Sequence, residues 1–311
     1  MFYFRSIPLF VLALVLSVQC CATEAIAQKK SQKSYKLSEG IVYRKVDGEK
    51  LELDAYIPKT GEKHPAVLVL FGGAWQRGNR KQLKMYAIEL ADRGFACFAI
   101  DYRLAPEHKF PAQIDDCRAA VKWIRKNASK YDIDPDRLGA IGYSAGGHLA
   151  TLLGTTGEAP TEENGNVDTR LQAVVAGGAP TDFRWMPDNG KWAKYWMGGD
   201  LSEEPEKFRL ASSAAFVDKD DSPTFFFHGE KDTLVPLIWP FGCYLKLKQA
   251  GVKTVMHKIP DAGHHRAAVN PEALTKAFDF LIAELQADKN STDENANHSK
   301  DTADEKNSKR K

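Results

Sequence analysis

The chain has 311 residues, 43% hydrophobic and 27% charged, the composition of a globular protein with a core large enough for one sizeable domain. Its 43 Lys and Arg against 41 Asp and Glu leave a formal charge of +2, which excludes the basic footprint that nucleic acid or an anionic membrane surface requires. Five cysteines without CxxC or His-rich spacing point to no zinc site.

In chain order, residues 1–27 read as an export signal. Arg5 stands in a short n-region, Ile7 to Val18 is an apolar run broken only by Pro8 and Ser17, and Ala25-Ile26-Ala27 offers a small-x-small cleavage site before Gln28. The run is shorter than the ~20 apolar residues that span a bilayer. A secreted or periplasmic mature protein with no stable membrane span after cleavage is therefore expected. Cleavage would leave Cys97, Cys117 and Cys243, expected to be packed, unreactive thiols. Residues 28–39 are polar and expected to be loose. A domain over 40–286 follows, then a polar tail over 287–311 rich in Asn, Asp, Lys and Ser, expected to be disordered.

Within the domain, Ile41–Val46 and Leu51–Ile57 flank Asp47-Gly48 as an opening hairpin. Strands are predicted at Ala66–Phe71, Phe95–Ile100, Leu138–Ile141, Ala173–Ala176, Thr224–Phe227 and Thr254–Ile259. Helices are predicted at Gln82–Arg93, Ile114–Ser129, Ala145–Leu153, Trp239–Ala250 and Glu272–Leu285, with Gly94 and Gly251 where C-terminal caps belong. Strand alternating with helix is the pattern of an α/β fold with a mainly parallel sheet flanked by helices. Asp182 to Val217 breaks this rhythm as an aromatic-rich excursion. Its tryptophans either face a substrate or form the local core of an irregular segment.

Three motifs fall at strand ends. Gly142-Tyr143-Ser144-Ala145-Gly146 sits between a predicted strand and a predicted helix, the context of a nucleophile elbow that holds a serine oxygen above the sheet. Asp232 and Glu230 follow the strand Thr224–Phe227, and His264 and His265 follow Thr254–Ile259, giving the chain order serine, acid, histidine. Asp232 is preferred by its spacing from His228-Gly229, and His264 because it directly follows Ala262-Gly263. Phe71-Gly72-Gly73-Ala74-Trp75 after the strand Ala66–Leu70 is the candidate oxyanion loop, with the Ala145 amide as the second donor. His108, His148 and His228 are read as packing or hydrogen-bonding residues. Candidate substrate contacts are Trp75, Tyr143, Trp185 and Trp196.

Together with Asp101-Tyr102-Arg103-Leu104-Ala105-Pro106-Glu107-His108 and Phe110-Pro111-Ala112, these blocks resemble the hormone-sensitive-lipase-like carboxylesterases. More closely, they resemble the bacterial feruloyl and acetylxylan esterase-like α/β-hydrolases. The resemblance covers residues 40 to 285. It implies an eight-stranded α/β-hydrolase fold, Ser144 as nucleophile, His264 as base, Asp232 as its partner, and the Gly73, Ala74 and Ala145 amides as oxyanion donors. It also implies a small-molecule or polysaccharide ester substrate and no metal or cofactor. Phe71 departs from the family's usual His, and Ala74 stands where a third Gly is common. A small-molecule esterase, a lipase-like enzyme or an arylformamidase would use the same residues. The reading from outside enzymes is a binding protein that keeps the fold without turnover.

Overall fold

The computed structural model describes residues 33–159, 167–185 and 191–286. The export signal and the polar tail over 287–311 lie outside the described residues. Among the described residues, no helix is long and apolar enough to cross a membrane.

Eight strands form one sheet: β1 Tyr35–Val46, β2 Glu49–Pro58, β3 His64–Leu70, β4 Ala96–Ile100, β5 Ile133–Tyr143, β6 Ala173–Gly177, β7 Thr224–Gly229 and β8 Thr254–Ile259. Their order is β1-β2-β4-β3-β5-β6-β7-β8, antiparallel from β1 to β4 and parallel from β4 to β8. The helices are α1 Lys84–Asp92, α2 Ala112–Lys126, α3 Ala128–Tyr131, α4 Ala145–Thr155, α5 Lys191–Met197, α6 Pro205–Ala211, α7 Ile238–Gln249, α8 His264–Ala268 and α9 Pro271–Leu285.

The central strands read as continuous apolar runs because both faces of the sheet are covered. Leu68, Leu70, Phe98, Val174 and Phe226 pack toward Ile114 and Val121 of α2, Leu149 and Leu153 of α4 and Leu247 of α7. The alternate residues Val67, Val69, Cys97, Val175 and Phe227 pack toward Leu90 of α1 and Phe278 and Leu281 of α9. The edge strand β8 is only half buried. Cys97, Cys117 and Cys243 are free and buried. Burial pushes all three thiols up, Cys243 to about 12, so they stay protonated and inert at neutral pH.

Beyond shifts of element ends such as the start of β5 at Ile133, before the expected Leu138, three departures from expectation stand out. β1 begins at Tyr35, inside the segment expected to be loose, because Tyr35 is buried against Tyr56 with ring centroids 5.6 Å apart. The expected helix Ile114–Ser129 is divided at Asn127, whose side chain turns back to the Trp123 carbonyl. The excursion also contains two short helices, α5 and α6. The hairpin turn forms as expected, with positive φ at Asp47 and Gly48.

Candidate active site

The candidate residues gather at the carboxyl ends of the parallel strands, where open α/β sheets place their ligands. β5 ends at Tyr143 and α4 starts at Ala145, so Ser144 alone makes the turn, with φ 55° and ψ −120°. Such a backbone costs a non-glycine residue roughly 1–3 kcal/mol, and the crowding around the turn fixes it. A Cβ on Gly142 would lie 2.2 Å from the Gly146 carbonyl oxygen, and one on Gly146 would lie 2.0 Å from that of Leu70. Only glycine fits at either place, which gives the motif its physical meaning.

Asp232 follows β7 and His264 opens α8 after β8, and backbone bonds tie the two loops together. Glu230 N donates to the Ile259 carbonyl at 3.1 Å and Lys231 N to that of Ala262 at 3.0 Å. Within this frame Ser144 Oγ lies 2.9 Å from His264 Nε2, and His264 Nδ1 lies 2.6 Å from Asp232 Oδ2. Because Asp232 only accepts, Nδ1 carries the proton and Nε2 is left to receive one from the serine. The alternatives Glu230 and His265 are both exposed.

Asp232 is buried, and burial alone would raise its pKa. Hydrogen bonds from His228 and His264 and from the Val235 amide outweigh that effect and hold the carboxyl well below the usual range. Its Oδ1 accepts from Leu234 N at 3.0 Å and Val235 N at 2.9 Å. The fully buried His228 places Nε2 2.8 Å from the Val235 carbonyl oxygen and 3.3 Å from Asp232 Oδ2. It thus steadies the acid in the hydrogen-bonding role expected of it.

The candidate oxyanion loop is strained and firmly supported. Gly73, Ala74 and Trp75 all have positive φ, 123°, 53° and 58°, so Ala74 occupies a left-handed conformation where a glycine is common. Phe71, in place of the usual His, is buried and stacks on Tyr102 with centroids 4.1 Å apart, while Tyr102 Oη donates to the Phe71 carbonyl at 2.8 Å. Trp75 is buried and stacks on Trp196 at 3.6 Å, and its Nε1 donates to His148 Nδ1 at 3.1 Å. His148 Nε2 donates in turn to the Ala211 carbonyl at 2.7 Å. Burial lowers the His148 pKa to about 4, against the opposing pull of that last bond, so the ring is neutral at pH 7.

Gly73, Ala74 and Ala145 line the same cavity as Ser144 and His264, a space of about 780 Å³ that suits a small ligand. As the first residue of α4, Ala145 has no carbonyl partner for its amide within the helix. Trp75 and Tyr143 also line the cavity, and Tyr143 Oη donates to the His264 carbonyl. The other two expected contacts are corrected. Trp196 is fully buried, held by Trp75 and by its own Nε1 bond to Gln113 Oε1 at 3.1 Å. Trp185 is 83% exposed and does not line the cavity. Sequence reasoning missed Phe183, Leu234, Val235 and Trp239 on the apolar wall, and Arg77 beside the oxyanion loop; no spacing rule brings these distant segments together.

The strand order, the serine at the β5–α4 turn and the histidine and carboxylate on neighbouring loops define an α/β-hydrolase. The chain belongs to the BD-FAE family, whose sequence profile matches residues 53–238. That stretch holds Ser144 and Asp232, while His264 lies beyond it. Esterase LipC of Mycobacterium tuberculosis (strain ATCC 25618 / H37Rv) is 32% identical over 226 residues, covering 68% of this chain and 56% of LipC. The chain spans about half the length of the curated relatives it matches. Among solved structures, a truncated carbohydrate esterase from gut microbiota is 27% identical with a TM-score of 0.74, covering 82% of this chain and 99% of that one. A bifunctional GH43-CE protein of Bacteroides eggerthii is 31% identical with a TM-score of 0.71, covering 82% of this chain and 36% of that one.

Proposed function

We propose that the chain is an exported serine carboxylic-ester hydrolase that removes acetyl or feruloyl groups from polysaccharide. The observation that carries the hydrolase reading is the unbroken relay from Ser144 Oγ through His264 to Asp232 at the wall of the cavity. Ser144 Oγ attacks the ester carbonyl as its proton passes to His264 Nε2, and Asp232 stabilises the resulting imidazolium. The tetrahedral oxyanion is taken by the Gly73, Ala74 and Ala145 amides. Collapse expels the alcohol, which receives the proton from His264 and leaves Ser144 acylated. Water then attacks the acyl-enzyme with His264 again as base, releasing the acid and restoring Ser144.

The polysaccharide part of the reading is supported by the two carbohydrate-esterase neighbours and the family resemblance. Export is supported by the apolar run and the Ala25-Ile26-Ala27 site. The test is hydrolysis of p-nitrophenyl acetate with mass spectrometry of Ser144 after an organophosphonate probe. Turnover with labelled Ser144 is expected, and the absence of both turnover and label would sink the reading. Acetylated xylan, feruloyl esters and long-chain lipid esters compared side by side then test the substrate class. A mature N-terminus at Gln28 tests export.

A further inference from the structure

Arg77 is fixed beside the candidate oxyanion donors. Its backbone amide and that of Gln76 both donate to the Gly73 carbonyl at 3.1 Å, so any movement of the loop carries this side chain with it. The side chain lines the Ser144 cavity and is exposed there. Among the described residues it has no hydrogen-bond or ion-pair partner. Every other described arginine except Arg266 holds a carboxylate within 3.5 Å, and Arg266 does not line the cavity. Among the described residues, the cavity wall includes no Asp or Glu. Arg77 is the only Lys or Arg among the described residues of the wall, set among the apolar side chains of Trp75, Leu83, Phe183, Leu234 and Trp239. Nearby, burial raises the Tyr195 pKa and the Arg77 charge opposes that rise. Apolar walls focus the field of one cation into the space where substrate must sit, and a guanidinium fork matches a carboxylate in two parallel hydrogen bonds.

We infer that Arg77 is a specificity-determining residue that binds a carboxylate carried by the ester substrate, making anionic esters the preferred class. This rests on the esterase reading of the same site. The carboxylate is borne either by the acyl half, as in the half-ester of a dicarboxylic acid, or by the alcohol half, as in an acylated uronic acid.

The experiment uses two pairs that differ only in charge. The first is the 4-nitrophenyl monoester of glutarate against that of its monoamide. The second is an O-acetylated methyl glucuronoside against the corresponding glucuronamide. A charge-assisted bond at an exposed guanidinium gives a preference of about tenfold in kcat/KM for the anionic member. It should appear in the pair whose charged half faces Arg77, and it should fall as salt is raised. Arg77→Gln brings that ratio toward one, Arg77→Glu takes it below one, and Arg77→Lys restores part of it. Because each ratio is taken within one protein, a general loss of activity in a variant does not affect it. Ratios of one or less in both wild-type pairs, or a preference unchanged in Arg77→Gln, would overturn the inference and leave the esterase reading intact. Hydrolysis of none of the four esters, with Ser144 unlabelled by the phosphonate, would overturn both.

Discussion

His148 is expected to act as the acid-sensitive joint of the oxyanion loop, and His148→Phe tests this. The substitution keeps an aromatic ring in edge contact with Trp75, Phe183 and Trp196. It removes the acceptor for Trp75 Nε1 and the donor to the Ala211 carbonyl. Losing these two buried hydrogen bonds costs about 1–3 kcal/mol each, so the variant should be about 2–6 kcal/mol less stable at pH 7. The deficit should depend on pH. His148 titrates near pH 4 when folded against an ordinary value of 6.5, so between those values the unfolded chain binds a proton that the folded one refuses. A protonated His148 would set Nδ1–H against the Trp75 donor. Wild-type stability is therefore complete above pH 6.5 and declines as pH falls toward 4, by about 3 kcal/mol for a shift of this size. The variant has no such group, and contributions from all other residues cancel in the difference. Urea unfolding of both proteins at pH 7 and pH 4 should show the gap narrowing by about 3 kcal/mol. A gap equal at the two pH values would refute the buried, neutral assignment of His148.

Asp232→Asn should cut kcat by on the order of 10⁴, because an amide no longer fixes the Nδ1–H tautomer of His264, while circular dichroism stays native; a loss under tenfold would remove Asp232 from the relay. Ser144→Gly should abolish turnover and raise the unfolding free energy by about 1 kcal/mol, since glycine adopts φ 55° without strain; an unchanged or lower value would show that the elbow is not strained. Trp196→Ala should cost about 3–5 kcal/mol as a core deletion, whereas Trp185→Ala at an exposed site should stay within about 0.5 kcal/mol. Chemical denaturation distinguishes them, and equal effects would undo the assignment of Trp196 to the core.

Much of the site was legible because its chemistry constrains short stretches of chain. Gly142 and Gly146 cannot be other residues where backbone carbonyls stand 2.2 and 2.0 Å from their would-be Cβ atoms, so the motif and the geometry are one fact. Asp232 and His264 were found because each lies in the loop after a recognisable strand, the fully buried run Thr224–Gly229 in one case and the half-buried edge strand Thr254–Ile259 in the other. What was missed depends on contacts between distant segments. Trp75 meets His148 across 73 residues, and nothing local distinguishes the buried Trp196 from the exposed Trp185. Both are tryptophans among glycines and charges, and it is rings and an amide arriving from elsewhere, Trp75, Phe110, His148, Phe183 and Gln113, that bury Trp196. Tyr35 was misjudged for a similar reason: its alternation with Leu37 is too short to stand out until Tyr56 supplies the partner ring.

The same distinction between local pattern and distant partner separates two arginines three positions apart in the segment just after the candidate oxyanion loop. Arg80 is committed to the fold: its Nε lies 2.7 Å from Asp54 Oδ1, its Nη2 2.9 Å from Glu52, its Nη1 pairs with Asp101, and its backbone amide donates to Asp101 at 2.7 Å. Asp54 is 1% exposed and already has one oxygen without a partner, so Arg80→Gln would leave a buried carboxylate without its cation and with the Gly40 amide at 3.0 Å. Removing one member of a buried pair costs about 3–5 kcal/mol. The lower figure applies here because Glu52 and Asp101 remain partly solvated. The loss should appear as a lower urea midpoint, with a fall in activity toward anionic and neutral esters alike, because the whole loop loosens. Arg77→Gln strands nothing, so it should leave the urea midpoint within about 0.5 kcal/mol of wild type and alter only the preference between the two classes of ester. A stability loss at Arg77 comparable to that at Arg80 would mean that its charge serves the fold and not the substrate.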